Sequence, residues 1–307
     1  MTGYIYKVTD EQNTLKLPVT VSDAVYVNDR KLTDVLEDIS SGSTAPFFRF
    51  RILSWNVGHW AKGNSTSSQV TPADYESTKM AFHKVFNDYS PDVVGCCEYS
   101  SIFYNNGSGT TTTARDDIFS QFKNYYIGTE QGYVGTAEFA NCTMLEKNEI
   151  SLENNNKAIE FSLPLTATKK IKICMCHLPW QVESEQQSSL EMLIERYANE
   201  PYAIIMGDMN FHANKEMTSI NKLSAAGYQN ANWGYMGKIL TSYNNVVCSN
   251  YLDNIAVKGG SILCTQVLQN TPEGLDPNNP DINDESLWDN VNLSDHFPII
   301  CDIEIPL

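Results

Sequence analysis

Six places along this 307-residue chain set a side chain able to hold a cation or move a proton at the end of an apolar run, five after the run and one before it. "ILSW" delivers Asn56, "VVGCC" delivers Glu98 and "IKICMC" delivers His177. "AIIMG" delivers Asp208 and Asn210, and "NYL" delivers Asp253 and Asn254. In "SDHFPI", Ser294, Asp295 and His296 stand just ahead of the last apolar run. Each alone has an ordinary reading. A glutamate after a strand meets solvent, a histidine in a core is hydrogen-bonded, and Ser-Asp-His before a strand makes a turn. As a set they carry chemistry. Asn, Asp and Glu oxygens are hard ligands that suit Mg²⁺ or Ca²⁺, and the mixture is poor for structural zinc. Two histidines with separate acidic neighbours suit proton transfer near neutral pH. Asp208 and Asn210 lie two residues apart on an extended run and are expected on one face. Gly207 is expected to leave room for a substrate.

Such residues need strands to carry them. From Phe47 onward the pattern alternates between β and α. Strands are expected over 48–57, 91–100, 140–147, 158–165, 169–180, 202–210, 250–259 and 296–305. Helical spacing occurs over 72–89, with Pro72 suited to the first turn, and over 188–199. Strands that are apolar on both faces, interleaved with helices, predict packed sheets inside and helices outside. Residues 60–71, 103–116 and 268–292 are polar and expected as surface loops.

Residues 1–46 read as a separate extension, with 47–307 as the main domain. A strand-like segment with Val19, Val21, Val25 and Val27 precedes a short helix with Leu32, Val35, Leu36 and Ile39 on one face, and "SSGSTAP" follows as a linker. A helix of about ten residues is not stable alone. It is expected to pack on the main domain, on another copy, or on a larger assembly.

The bulk numbers exclude several classes. A hydrophobic content of 42% with 19% charged residues describes a globular chain. No stretch reaches the roughly 18–20 apolar residues of a membrane span. "MTGYIYKVTDEQ" lacks the basic start and apolar core of a secretory leader, so a cytoplasmic protein, or one released by lysis, is expected. The 8 cysteines form no CxxC pair and no zinc spacing and read as buried thiols. A net charge of −16 repels long polyanions and opposes a broad basic nucleic-acid surface. It does not exclude a nuclease, because a bound divalent cation inverts the sign locally.

The ordered motifs "LSWNV", "VVGCCEYS", "CHLPW", "IIMGDMNFH", "YLDNIAV" and "SDHFPI" resemble those of the endonuclease/exonuclease/phosphatase (DNase I-like) superfamily over about residues 48–307. The resemblance implies a four-layer α/β sandwich of two packed mixed β-sheets and phosphoester cleavage with Mg²⁺, or with Mn²⁺ or Ca²⁺. It implies that Glu98 binds the metal, with Asn56 beside it and Asp295 contributing from the far side. Asp208 would position the attacking water, and Asn210 would donate to a phosphate oxygen. His296 would be general base or phosphate clamp, oriented by Asp253. His177 would serve the leaving oxygen. Tyr133 and Asn141 are candidate substrate contacts, and Glu138 is a candidate partner of His177. Asn254 and His212 neighbour matched residues without matching themselves. After "WNV" comes "GHW", so an acidic residue that some nucleases carry there is absent, and His59 is a loop histidine or its substitute.

The motifs imply a reaction and leave the substrate open. A nuclease acting on DNA is favoured by His177. The N-terminal segment resembles attachment pieces of phage tail proteins, which fits DNA degradation and a virion-associated location. The acidic charge and sparse basic residues favour a phosphatase or phosphodiesterase on inositol phosphates or phospholipids. Trp233, Tyr235 and Met236 would supply a lipid-facing or base-stacking loop, or a packed turn. A third alternative is a virion-associated structural protein carrying a hydrolase domain.

Overall fold

The computed structural model describes residues 47–57, 72–99, 102–104, 111–129, 135–211, 216–231, 242–244, 247–250, 252–268, 296 and 298–307, with four two-residue strands nearer the N-terminus. The chain divides into two compact units, Met1–Thr44 and Ala45–Leu307. In the first, Val8–Thr9 pairs antiparallel with Leu15–Lys16, and Tyr26–Val27 with Arg30–Lys31. The helix expected around Leu32–Ile39 and its linker lie outside the described residues.

The second unit holds two six-stranded sheets. Their strands, in chain order, are β1 (Phe47–Asn56), β2 (Val93–Tyr99), β3 (Asn124–Ile127), β4 (Gly135–Ala140), β5 (Leu145–Ser151), β6 (Lys157–Pro164), β7 (Lys170–His177), β8 (Ala203–Asp208), β9 (Tyr228–Asn230), β10 (Asp253–Lys258), β11 (Ser261–Val267) and β12 (Ile299–Pro306). The first sheet runs β11-β12-β1-β2-β4-β3 and the second β5-β6-β7-β8-β10-β9. Both are mixed in the same way. One central pair is parallel, β1 with β2 and β7 with β8, and every other pairing is antiparallel. Helices α1 (Pro72–Tyr89), α2 (Glu183–Arg196) and α3 (Glu216–Ala225) complete the main layers.

Side-chain parity builds the layers. Phe50 and Ile52 of β1 face Ile171, Ile173 and Met175 of β7, Ile204 and Met206 of β8, and Ile255 and Val257 of β10 in a core between the sheets. The alternate residues Leu53 and Trp55 face outward to Phe82, Val85 and Phe86 of α1. Cys174, Cys176 and Ile205 face outward to Leu190 and Leu193 of α2 and Ile220 and Leu223 of α3. Phe119 stacks on Phe139 with ring centroids 3.9 Å apart, and Trp55 on Phe82 at 4.4 Å. On the inward face of β2 lies Gly95. A Cβ there would lie 2.5 Å from the Met206 methyl and 2.6 Å from the Met175 sulfur.

Several boundaries differ from the expectation. Residues 140–147 are not one strand: β4 ends at Ala140 and β5 begins at Leu145. The exposed Glu146, Lys147 and Asn148 along β5 hide the apolar alternation that marks a strand. Helix α2 begins at Glu183 rather than near 188, because its first turns are polar. In the stretch expected as a loop, Ile102–Tyr104 pairs with Thr111–Thr113. The loops at 60–71 and 269–292 and the segment with Trp233, Tyr235 and Met236 lie outside the described residues.

Candidate active site

The parallel pairs explain why the polar residues meet. β1 and β2 both end at the same edge of the first sheet, as do β7 and β8 in the second. On the inward face, parity continues from Ile52 to Asn56, from Met175 to His177, from Met206 to Asp208, and back from Ile255 to Asp253. His177 pairs with Asp208 and Asp208 with Asp253 in strand register, making one row across the second sheet. The open end of the inter-sheet space is therefore lined from both sides.

Glu98 breaks parity. Val94 and Cys96 pack outward, so regular alternation would send Glu98 outward too. Its φ of +50° re-aims the chain, and Asn56 Nδ2 donates to Glu98 Oε1 at 3.1 Å. Asn210 also departs from expectation. β8 stops at Asp208, and Asn210 has φ +47°. The two side chains converge through this left-handed residue rather than through a shared strand face. Left-handed backbone at a non-glycine residue costs on the order of 1 kcal/mol and concentrates at functional sites. Here two hydrogen bonds hold it: Asn210 N–H donates to Asp208 Oδ1 at 3.0 Å, and its Nδ2 donates to the Leu178 carbonyl at 2.8 Å.

Asp208, 2% exposed, is the hub. Its Oδ2 accepts from Asn56 Nδ2 at 2.9 Å and lies 3.6 Å from His177 Nε2 and 3.7 Å from His296 Nε2. Behind His296, Nδ1 donates to Asp253 Oδ2 at 2.7 Å. This orients the ring with Nε2 toward Asp208. The Trp55 indole donates to the His296 carbonyl at 3.0 Å. His177 Nε2 also lies 4.0 Å from Glu98 Oε1.

Sequence reasoning missed three supports. One is that indole: Trp55 faces the helix layer, and nothing local announces its reach to His296. The second is the Leu178 carbonyl. The third is Cys97, whose Sγ–H donates to the Cys176 carbonyl at 3.0 Å while the Asp208 N–H approaches the same sulfur at 3.5 Å. Burial first, then the nearby Asp208 charge, pushes the Cys97 thiol far above its ordinary value. It therefore remains the donor that this link between the sheets requires.

Other expectations are corrected. Asn141 is exposed in the turn after β4, and its N–H donates to the Asp92 carbonyl at 3.0 Å, at the start of β2. Glu98 is at the other end of that strand, about 20 Å away at the usual rise per residue. Glu138 does not orient His177. It is fully buried on β4, and neither of its oxygens has a hydrogen-bond partner among the described residues. Gly207 serves the sheet rather than a substrate: with φ +134°, a Cβ would sit 1.9 Å from the Cys176 carbonyl on β7. Asn254 Nδ2 donates to Asn230 Oδ1 at 2.8 Å and ties β10 to β9. Tyr133, Asp295, His59 and His212 lie outside the described residues.

Among the described residues, two groups have donor atoms close enough to share an ion: Glu98, His177 and Asp208, and Asp208, Asp253 and His296. The first suits a hard cation better. Its carboxylates are bridged by one Asn56 amide, and Glu98 is partly open to solvent, as a site completed by water and phosphate oxygens requires. In the second, Asp253 is already committed to His296.

The sequence matches no protein-family model, and no curated protein. The fold does have solved counterparts. The chain is similar to the catalytic domain of human nocturnin with a bound sulfate, at 16% identity and a TM-score of 0.59, covering 84% of this chain and 96% of that one. It is similar to D. rerio TDP2 complexed with a single-strand DNA product, at 15% identity, TM-score 0.58, and 83% and 98% coverage. It is also similar to an endonuclease/exonuclease/phosphatase from Beutenbergia cavernae, at 12% identity, TM-score 0.57, and 84% and 72% coverage. The fold is thus DNase I-like: two packed mixed sheets of six strands each, faced by helices.

Proposed function

We propose that the chain is a divalent-metal-dependent phosphoesterase that hydrolyses phosphodiester bonds, with a nucleic-acid-type substrate favoured. One observation carries this reading: a buried aspartate, Asp208, stands between two imidazoles and an amide where two sheets open. Similarity in fold to a TDP2 complexed with single-strand DNA product adds support for a nucleic-acid substrate.

The geometry supports the following roles. Asp208 positions the attacking water, with His296 beside it as general base or phosphate clamp. Asp253 holds the His296 Nδ1 hydrogen, so Nε2 faces the reaction. Asn210 has one Nδ2 hydrogen committed to Leu178 and a second for a non-bridging phosphate oxygen. His177 gives a proton to the departing oxygen as the phosphorus–oxygen bond breaks. Glu98, with Asn56 beside it, would hold Mg²⁺ or Mn²⁺, and Asp295 is proposed as a further ligand. The ion supplies stabilisation of charge on the phosphate oxygens. The net charge of −16 favours a second reading, a small or lipid phosphate ester rather than a polymer.

One panel tests both. Purified protein with Mg²⁺ or Mn²⁺ is given supercoiled plasmid, single-stranded DNA, RNA, inositol phosphates and sphingomyelin, with Asp208→Ala and His296→Ala alongside. Metal-dependent cleavage of at least one substrate, lost in both variants, is expected. Activity that survives a chelator, or survives both substitutions, overturns the mechanism.

A further inference from the structure

The segment after β8 is held from outside the sheets, by helix α2. Gln186 sits in the first turn of α2 and is fully buried. A buried amide side chain needs hydrogen-bond partners to offset its lost hydration. Its Nε2 donates to the Met209 carbonyl at 3.0 Å and lies 3.4 Å from Ser219 Oγ on α3, and its Oε1 accepts from Gln187 Nε2 at 2.8 Å. Gln187 in turn donates to Ser219 Oγ at 2.6 Å and accepts from Lys222 Nζ at 2.6 Å. Of these contacts, the one to Met209 leaves the helix layer. Met209 lies between Asp208 and Asn210.

One peptide plane carries the effect. The Met209 carbonyl and the Asn210 N–H belong to the same planar trans unit, so they point in opposite directions. With the carbonyl turned out to Gln186, the N–H turns in and donates to Asp208 Oδ1 at 3.0 Å. That leaves Asp208 Oδ2 for Asn56 and for the space between the two imidazoles. The same orientation gives Asn210 its φ of +47°. A half-turn of the plane would carry this φ into the extended region that an L-residue prefers. The Met209 N–H donates to the Leu252 carbonyl at 2.8 Å, which anchors the preceding plane and confines such a turn to the Met209–Asn210 unit. One hydrogen bond and one left-handed residue are similar in magnitude, so losing the Gln186 contact shifts the balance.

We propose that Gln186 is a positioning residue for the reaction: by holding the Met209 carbonyl it sets the Asp208 carboxylate and the Asn210 amide in their working orientations. The consequence for rate rests on the phosphoesterase reading, and the consequence for the backbone rests on the hydrogen bonds alone.

Gln186→Met keeps the length of the side chain and removes the donor. Ser219→Ala, in the same buried network, spares the Met209 contact. Both are compared with the full-length wild type. Amide hydrogen exchange is read by NMR without substrate or metal. In Gln186→Met the Asn210 amide is expected to exchange at least about tenfold faster than in the wild type, as a buried amide that loses its partner does, with the Ile205 and Met206 amides of β8 unchanged. With Mg²⁺ and bis(p-nitrophenyl) phosphate, Gln186→Met should lose kcat by at least about tenfold, toward the roughly 100-fold that a 1 Å misplacement costs. KM should stay within about threefold, because the lost interaction serves the attacking water rather than uniform binding. Ser219→Ala should keep both exchange and kcat near wild type. The proposal is overturned if Gln186→Met leaves Asn210 exchange unchanged, if it keeps the kcat of an active wild type, or if Ser219→Ala loses as much on either measure. A wild type that cleaves no ester, with faster Asn210 exchange in Gln186→Met, keeps the positioning and loses the phosphoesterase reading. A wild type that cleaves the ester, matched by Gln186→Met, loses the positioning and keeps that reading. Should Gln186→Met not fold, a crystal structure of the wild type decides: a Met209 carbonyl turned toward Asp208 overturns the proposal, and one turned to Gln186 with Asn210 left-handed supports it.

Discussion

The contact between His296 and Asp253, 2.7 Å and buried, is the site's most constrained acid–base pair. It fixes which imidazole nitrogen faces Asp208, so its role is in orientation and charge rather than in packing. Asp253→Asn keeps the shape and replaces an acceptor-only group with an amide that can present either an acceptor or a donor. A fall in kcat on the order of 10²–10⁴-fold is expected, the usual span for a general acid–base group, with far-UV circular dichroism unchanged. Steady-state kinetics on whichever ester the wild type cleaves decides this, and a kcat within threefold of wild type would remove Asp253 from the mechanism. The site's outline was legible at this scale because each residue adjoins one end of an apolar run. What was not legible is backbone: Glu98 and Asn210 need φ near +50° to reach their partners, and neither residue type announces that conformation as a glycine would.

Strand β4 shows how a single element serves both sheet and site. It brings Thr136 to the cavity beside His177 and, two residues on along the same inward face, buries Glu138 completely. Burial, aided by the Glu160 charge, pushes the Glu138 carboxyl well above the ordinary carboxylate range. The sign follows from linkage. In the unfolded chain the group ionises as pH rises past the ordinary range, while in the folded chain it holds its proton. Stability is therefore fully present below the unfolded value and is lost as pH rises toward the folded one. Glu138→Gln removes that slope. Thermal melts should show variant minus wild-type Tm increasing from pH 5 to pH 8, by at least about 2–4 °C, the shift 1 kcal/mol produces in a domain of this size. A constant difference across that range would show Glu138 to be ionised in the fold. The same carboxylate explains why β4 was not foreseen: "GTAEFA" puts a charge at a core position, where alternation predicts an apolar residue. Strands β1, β2, β7, β8, β10 and β12, rich in Ile, Val and Cys, were legible, whereas the edge strands β3, β5 and β11 lacked a clean period.

Across the whole unit, the candidate site is divided between the sheets. The first contributes Asn56 and Glu98, and the second His177, Asp208 and Asp253. In the core between them, Gly95 of β2 meets Met175 and Met206, two residues before His177 and Asp208. Gly95→Ala adds one carbon against two flexible side-chain ends, an overpacking that costs about 1–3 kcal/mol. Displacements near 1 Å at reacting atoms can cost about 100-fold in rate. A loss in kcat of at least tenfold, out of proportion to a modest fall in Tm, is therefore expected from a residue that touches no catalytic group. Parallel kinetics and melts measure it, and proportionate losses would show the gap to be insensitive to this contact.

The thiol of Cys97 reaches across that gap to the Cys176 carbonyl and receives the Asp208 N–H. Its consequence concerns the order of assembly. Each sheet can complete its own ladder of backbone hydrogen bonds without the other, but this link forms only once the two faces have docked. A compact chain with native strand content and undocked faces would therefore be inert. On refolding, catalysis would be among the last properties to return, after the spectroscopic signature of the strands.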